Sequence, residues 1–162
     1  MPRFALLDFG SAQRLANKQR ASGAAATNFQ PVMEAIAVDM LRIEEQIFFS
    51  QGRRGGGRWK GLAPDTLRQK DGDTRILFTS GHTNYGSGDD ALYRSVTKPG
   101  APDQILKVFK STIHFGTKRP YAARQQFGGK GIPARPFIKF LPSDVNRWEG
   151  WMGEHVMKPF MV

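Results

Sequence analysis

Residues able to support acid–base or metal chemistry are few and scattered in this chain. The histidines, His82, His114 and His155, lie in a glycine-rich segment, a predicted strand and the C-terminal region. They form no H-x-x-x-H or H-E-x-x-H pair, and no cysteine is present to complete a zinc site. Carboxylates are scarce among the basic segments, so no paired acid–base site is evident. We therefore predict no catalytic residue, no metal and no cofactor, and expect a protein that is not an enzyme.

Positive charge is concentrated in one part of the sequence. Between Gln104 and Ser143 there are eight Lys and Arg residues and no Asp or Glu, in a chain of net charge +10. The glycine-rich segment Gln51–Lys60, which we predict to be a flexible loop, is a second basic region. Such charge indicates an acidic partner, either a protein face or DNA. The candidate contacts are Arg53, Arg54, Arg58, Lys118, Arg119, Arg124 and Lys130.

The segment Ile132–Phe137 (IPARPF) combines stiffness with a positive charge. Pro133 and Pro136 fix their own φ angles and favour extended geometry in the preceding residues, which lowers the entropy cost of docking. Arg135 can then offer a bidentate fork to a carboxylate or phosphate of a partner. The alternative is that Phe137 enters the core and Arg135 forms an intramolecular ion pair. The predicted interface residues are Tyr121, Phe127, Pro133, Arg135, Pro136 and Phe137.

The elements that position these residues are predicted to form an α+β fold, with a long amphipathic helix packed on an antiparallel sheet of about four strands. Apolar residues recur at three- and four-residue spacing from Val32 to Phe48, which predicts a helix capped at its N-terminus by Asn28. Strands are predicted over residues 92–98, 105–110, 112–116 and 135–141, with a further candidate at 75–79. Residues 123–131 are predicted to be a flexible loop.

We divide the chain into a flexible N-terminal arm over residues 1–27, a single α+β domain over 28–145 and a C-terminal extension over 146–162. We predict one helical turn within the arm, around residues 12–18. A short helix containing Trp148 follows Asp144, and an apolar tail ends the chain. An apolar tail of this kind usually docks onto its own chain or a neighbour. No apolar run approaches the roughly 20 residues of a membrane span, so no membrane partner is expected.

Several blocks occur in the order typical of a known family. Phe48, the glycine-rich loop and Trp59-Lys60-Gly61-Leu62, followed by Asp65-Thr66-Leu67, resemble the F…G…W-x-x-L-x-x-x-T-L block of the phage virion morphogenesis family. The segment 76–81 (ILFTSG) is similar to its I-L-x-x-[TS]-G segment, and the region from Phe115 to Phe137 resembles its most distinctive block. The resemblance covers roughly residues 30–145 and is interrupted at 80–90.

This resemblance implies a non-enzymatic structural protein of a tailed bacteriophage, with a tail-completion-like domain, as in the tail-completion proteins of Mu-like and P2-like phages. It implies a ring of identical subunits, a hexamer, in the neck of the virion at the head–tail junction. The implied partners are neighbouring neck, tail-terminator or connector proteins, and the implied site of assembly is the host cytoplasm. The alternative is a basic protein that contacts phage DNA without sequence specificity. Flexible Arg53, Arg54 and Arg58 would then line a DNA channel.

Overall fold

Helix α2, Gln30–Phe49, is the element on which most of the described chain packs. Its buried apolar residues follow the predicted helical spacing, so the long amphipathic helix is confirmed. The prediction of Asn28 as its N-cap is wrong by one residue, because Phe29 occupies the cap position. Asn28 still accepts a hydrogen bond at the helix start, from the Gln30 backbone N–H at 3.2 Å.

The computed structural model describes residues 9–70, 72–78 and 91–161. Within them, two antiparallel strands and a set of helices form an α+β arrangement. No described helix is long and apolar enough to cross a membrane. The elements in chain order are α1 Phe9–Thr27, α2 Gln30–Phe49, α3 Pro64–Gln69, α4 Ala91–Thr97, β1 Gln104–Val108, β2 Ile113–Thr117, α5 Ala122–Phe127 and α6 Pro142–Met157, with 3-10 turns at Arg53–Gly55 and Lys158–Phe160.

The sheet of the described chain is a single hairpin rather than four strands. β1 pairs antiparallel with β2 in a register that sets Gln104 opposite Thr117 and Val108 opposite Ile113. The strand predicted over 92–98 is wrong, since this segment is helix α4. The strand predicted over 135–141 is also wrong, because this segment joins no ladder and bends at Ile138. The candidate at 75–79 forms no strand within its described part, 75–78.

Two further segments are more helical than predicted. The prediction of one helical turn around residues 12–18 is wrong, because α1 extends over 19 residues and packs on α6. The Ser22 hydroxyl in α1 donates to the Val156 carbonyl in α6 at 3.0 Å. Residues 1–8 of the predicted arm lie outside the described residues. The flexible loop predicted over 123–131 is replaced in its first half by helix α5.

The apolar core divides along the length of α2. Near its N-terminal end, Val32, Met33, Ile36 and Met40 pack with the hairpin and with the tryptophans of α6. Near its C-terminal end, Phe48 lies against the rings of Trp59, Tyr93 and Phe137, with centroid separations of 5.5, 5.4 and 6.0 Å. Aromatic contacts of this kind add to the free energy gained from burial alone. The predicted helix with Trp148 is confirmed as α6, which is longer than expected and continues through the boundary placed after residue 145.

Candidate functional site

Arg135 lies inside the protein rather than on a free surface. Its residue is only 7% exposed. Nε donates to the Lys60 carbonyl and Nη2 to the Gly61 carbonyl, both at 3.2 Å, and Nη1 approaches Gln125 Oε1 at 3.4 Å. Its acceptors among the described residues are neutral oxygens. The predicted alternative is therefore right that Arg135 is held within the chain and wrong that an ion pair holds it. Burial lowers the pKa of this guanidinium from its usual value.

The residues that follow Arg135 are also held from within the chain. The Trp59 indole N–H donates to the Pro136 carbonyl at 2.9 Å. Gln126 Oε1 accepts the backbone N–H groups of Phe137 and Ile138 at 3.0 and 3.1 Å, and its amide nitrogen donates to the Ile138 carbonyl at 2.9 Å. Phe137 is 1% exposed, which confirms the alternative that it enters the core. The IPARPF segment therefore joins the 51–61 region to α5 and the core.

The glycine-rich loop, Gln51–Lys60, is closed by backbone hydrogen bonds at both ends. The Gly52 N–H donates to the Ile47 carbonyl at 2.8 Å, and the Trp59 N–H donates to the Gln51 carbonyl at 2.8 Å. Gly52 has a φ of 90°, and a Cβ at this position would lie 2.5 Å from the Trp59 side chain. A larger residue is therefore excluded here by both backbone conformation and space. The loop has a defined path in which Trp59 is its buried anchor.

Arg54 joins this loop to the start of α6. Its Nη2 lies 2.5 Å from Oδ1 of Asp144, a carboxylate with no solvent exposure. Asp144 also accepts the Leu141 backbone N–H at 2.9 Å and lies 3.1 Å from Arg147 Nη2. Burial alone would raise the pKa of Asp144, but the hydrogen bonds from Arg54 and Leu141 outweigh it and leave the pKa below its usual value. Arg54 therefore has a structural partner and is not a free cation.

A second buried carboxylate continues this network into α2. Asp39 accepts hydrogen bonds from Arg147, from the Trp148 indole N–H at 2.8 Å and from Arg42 Nη2 at 2.7 Å. Burial raises the pKa of Asp39, and these hydrogen bonds, led by that of Arg147, lower it below its usual value. Asp39 and Asp144 thus fix α6 against α2 and the loop.

Glu44 is the most unusual ionisable group of the described core. It has no solvent exposure, and neither carboxyl oxygen has a hydrogen-bond partner among the residues described. Burial raises its pKa to about 9, and the backbone of Lys139 and the charge of Arg54 offset only part of that rise. Glu44 is consequently a neutral acid at physiological pH.

The predicted contact residues divide into buried and exposed groups. Arg54, Arg135 and Phe137 make the intramolecular contacts described above, and Arg119 pairs with Asp103 at 2.9 Å. Pro133 and Pro136 are half-buried. Phe127 is 79% exposed and Tyr121 43% exposed, and burial raises the pKa of the Tyr121 hydroxyl. The exposed basic side chains of the predicted set are Arg53, Arg58, Lys118, Arg124 and Lys130.

Cavities lie on both sides of the IPARPF segment. One of about 650 Å³ lies beside Arg135 and is bordered by Leu62, Phe78 and Pro133. A second, of about 360 Å³, lies between the hairpin and α5, with Phe127 on its border. Exposed apolar residues next to such a depression are typical of a protein contact. No group of three or more potential metal ligands occurs within the described ranges.

Sequence reasoning missed three polar residues that the structure makes important. Gln126 falls in the segment predicted to be a flexible loop, yet it fixes the backbone at 137–138. Asp39 and Glu44 are both buried residues of the long helix. Helical spacing does carry a signal, since Asp39 lies three residues after Ile36 and Glu44 four after Met40, on the apolar face of α2.

The described chain thus joins its 51–61 loop to the IPARPF segment and leaves several large apolar side chains exposed. A family model, described as the phage virion morphogenesis family, matches residues 8–157. The chain belongs to the phage virion morphogenesis family, and its role is in bacteriophage virion assembly. Comparisons with curated proteins and with solved structures found no match.

Proposed function

We propose that this chain is a tail-completion or neck protein that forms a ring, a hexamer, at the head–tail junction and is needed to join tail to head. The family match over residues 8–157 is the observation that carries the proposal. Neighbouring neck, tail-terminator or connector proteins are its partners, and the virion neck is its location. The exposed side chains of Phe49, Phe127 and Met161, each at least 67% exposed, support a protein that buries further surface on assembly.

The test is assembly of particles without this chain. A phage carrying a stop codon early in the corresponding gene is compared by electron microscopy with the same phage supplied with the wild-type chain from a plasmid. Separate full heads and finished tails are expected in the first sample, and joined particles in the second. Joined, infectious particles without the chain would contradict the proposal. The plasmid-supplied sample controls for effects of the mutation on neighbouring genes.

A second candidate function, non-specific contact with DNA, is favoured by a basic cluster on the 51–60 loop. Arg58 and Lys139 border one cavity of about 190 Å³, and Arg53 lies on the 3-10 turn beside it. All three are exposed, and none has an ion-pair partner within the described part of the chain. Exposed cations in a group are suited to phosphate contacts. DNA inside a ring and protein contacts outside it are compatible with each other.

Filter binding of duplex DNA at low and high salt tests this second candidate. The wild-type chain is expected to retain DNA at low salt and release it at high salt. Replacing Arg53, Arg58 and Lys139 by Ala is expected to reduce the slope of log K against log salt by about 2 to 3, since each phosphate contact contributes about 0.9. Replacing Arg68, which pairs with Asp65 in α3, by Ala serves as the control. Equal slopes for the wild type, the triple variant and the Arg68→Ala control would contradict the proposed DNA contact.

A further inference from the structure

The groove between the hairpin and α5 is an apolar site that the described chain leaves open. It has a volume of about 360 Å³ and is bordered by Ile105, Phe115, Ala123, Phe127 and Ile138. Phe127, at 79% exposure, is the most exposed of the large apolar residues described. Leaving so much apolar surface in water costs free energy that burial by a partner would recover.

The tail of the described chain is the complementary feature. Met157, Phe160 and Met161 are 49%, 37% and 70% exposed and lie together at the end of α6 and its 3-10 turn. This end of α6 is fixed at the start of α2, where His155 Nε2 lies 3.0 Å from the Asn28 carbonyl oxygen. The 3-10 turn of the tail packs on α1, and Met157 and Met161 remain the more exposed of its apolar side chains. Methionine adapts well to irregular apolar sites.

The tail of a chain lies outside that chain's own groove. Its Lys158 and Met161 border a different cavity, beside Trp151 and His155, and no tail residue borders the groove. α6 starts at Pro142, close in sequence to Phe137, and its 16 residues carry the tail about 24 Å away.

Charge around the two features is complementary. Lys118 follows groove residue Thr117, and Arg124 lies beside groove residue Ala123 in α5. Both basic side chains are exposed and have no ion-pair partner in the part of the chain that the structure describes. Glu149 and Glu154 of α6 are also exposed, and neither has an ion-pair partner among the described residues. A second copy can therefore set these two carboxylates of α6 against the basic border of the groove, where they outnumber Lys158, the one exposed lysine of the tail.

We propose that the apolar tail Met157–Met161 of one copy occupies the α5–hairpin groove of the next copy. The contact is heterologous, because two different surfaces meet, and repetition of such a contact produces a closed ring or an open filament. The inference rests on the proposed function in that it names the contact between neighbours in the ring.

A disulfide experiment tests this contact directly, because the chain contains no cysteine. Phe127→Cys and Met161→Cys are made as separate proteins, mixed and oxidised, and the products are separated on a non-reducing gel. A disulfide dimer is expected in the mixture, joined through residues 127 and 161 by mass spectrometry, and not in either protein alone. Ala123→Cys mixed with Met161→Cys provides a second pair that keeps Phe127 intact. Arg68→Cys, at a site where the side chain is 78% exposed, replaces the groove variant in the control mixture.

A dimer in the control mixture equal to that in the test mixtures would overturn the proposal, as would its absence from both test mixtures. A dimer of equal yield with Phe127→Cys alone would also overturn it, since that result requires two like surfaces to meet. Met161→Lys is expected to weaken self-association about tenfold or more, because it places a positive charge against an apolar groove with a basic border. Solution mass then separates the two proposals. If the wild-type protein forms rings but the test mixtures give no disulfide dimer, this contact is contradicted and the proposed ring is not. Joined virions assembled without the chain would contradict the proposed function itself.

Discussion

Replacing Glu44 by Gln removes the one described carboxyl that is buried without a hydrogen-bond partner. In the folded chain burial raises the pKa of Glu44 to about 9, whereas an unfolded glutamate has its ordinary value of 4.5. Above pH 4.5 the unfolded chain therefore loses a proton that the folded chain keeps. The stability associated with this group is fully present below pH 4.5 and is lost as the pH rises towards 9.

The magnitude follows from the two pKa values. Between them, the free energy of unfolding falls by about 1.4 kcal/mol per pH unit, which amounts to about 4 kcal/mol at pH 7.5. The amide introduced by Glu44→Gln does not titrate, so this variant lacks the slope. A buried amide without partners has its own cost of about 1 to 3 kcal/mol, but that cost is constant with pH. The prediction therefore concerns how the difference in free energy of unfolding between wild type and Glu44→Gln changes with pH.

Urea unfolding followed by circular dichroism at pH 5.5, 6.5, 7.5 and 8.5 measures this difference. Glu45→Gln is the matched control, because hydrogen bonds from Lys98 and then Tyr93 lower the pKa of Glu45 and its effect is lost only at acid pH. The stability of Glu44→Gln relative to wild type is expected to rise steadily with pH, while that of Glu45→Gln stays level. Parallel curves for wild type and Glu44→Gln would refute the assignment of a neutral, buried Glu44.

Three further substitutions test the contacts that hold the candidate site, and a fourth, Gly153→Ala, is a control. Arg135→Lys is expected to reduce the free energy of unfolding by about 3 kcal/mol, because an ammonium cannot serve both carbonyls that the guanidinium fork reaches. Asp144→Asn is expected to cost about 3 to 5 kcal/mol at pH 7 by leaving Arg54 without its carboxylate. That loss should shrink as the pH falls below 3.8, because the unfolded chain then takes up a proton, and should level off once the pH has passed the lowered pKa of folded Asp144. Gly128→Ala places a Cβ 2.8 Å from a backbone nitrogen at a φ of 76° and is expected to lower the thermal midpoint. Gly153→Ala in α6 meets nothing within 4 Å and is expected to raise it. Equal midpoints for the two glycine variants, or an unchanged unfolding curve for either charge variant, would contradict these contacts.

The sequence was informative where one periodicity extended over a long segment. The spacing of apolar residues from Val32 to Phe48 predicted α2, and the strands predicted over 105–110 and 112–116 correspond to β1 and β2. Short apolar segments were ambiguous. Leu92, Tyr93 and Val96 contain β-favouring residues, but their spacing of three and four residues also places them on one face of a helix, and all three are buried in α4.

The segment 135–141 shows why local pattern alone did not suffice. Its aromatic and β-branched residues favour a strand, but Pro136 has no N–H to donate to a ladder. The neighbouring N–H groups are bonded instead by Gln126 and by the Gln125 carbonyl, which come from another element. Charge was misleading in the same way, because a count of arginines does not separate Arg135, which holds carbonyls inside the fold, from Arg58 on the surface.

The contacts that close the 51–61 loop have a consequence for the order in which the chain folds. Trp59 bonds to Pro136, Arg54 to Asp144 and Arg135 to Gly61, across 77, 90 and 74 residues of sequence. Helix α2 can form as soon as it leaves the ribosome, because its bonds are local. The loop that follows α2 has to wait until synthesis has passed residue 144 before its partners exist. The surfaces formed by α5, the loop and α6 are therefore completed only late in synthesis, so that the chain can enter virion assembly only after nearly all of its described part has been made.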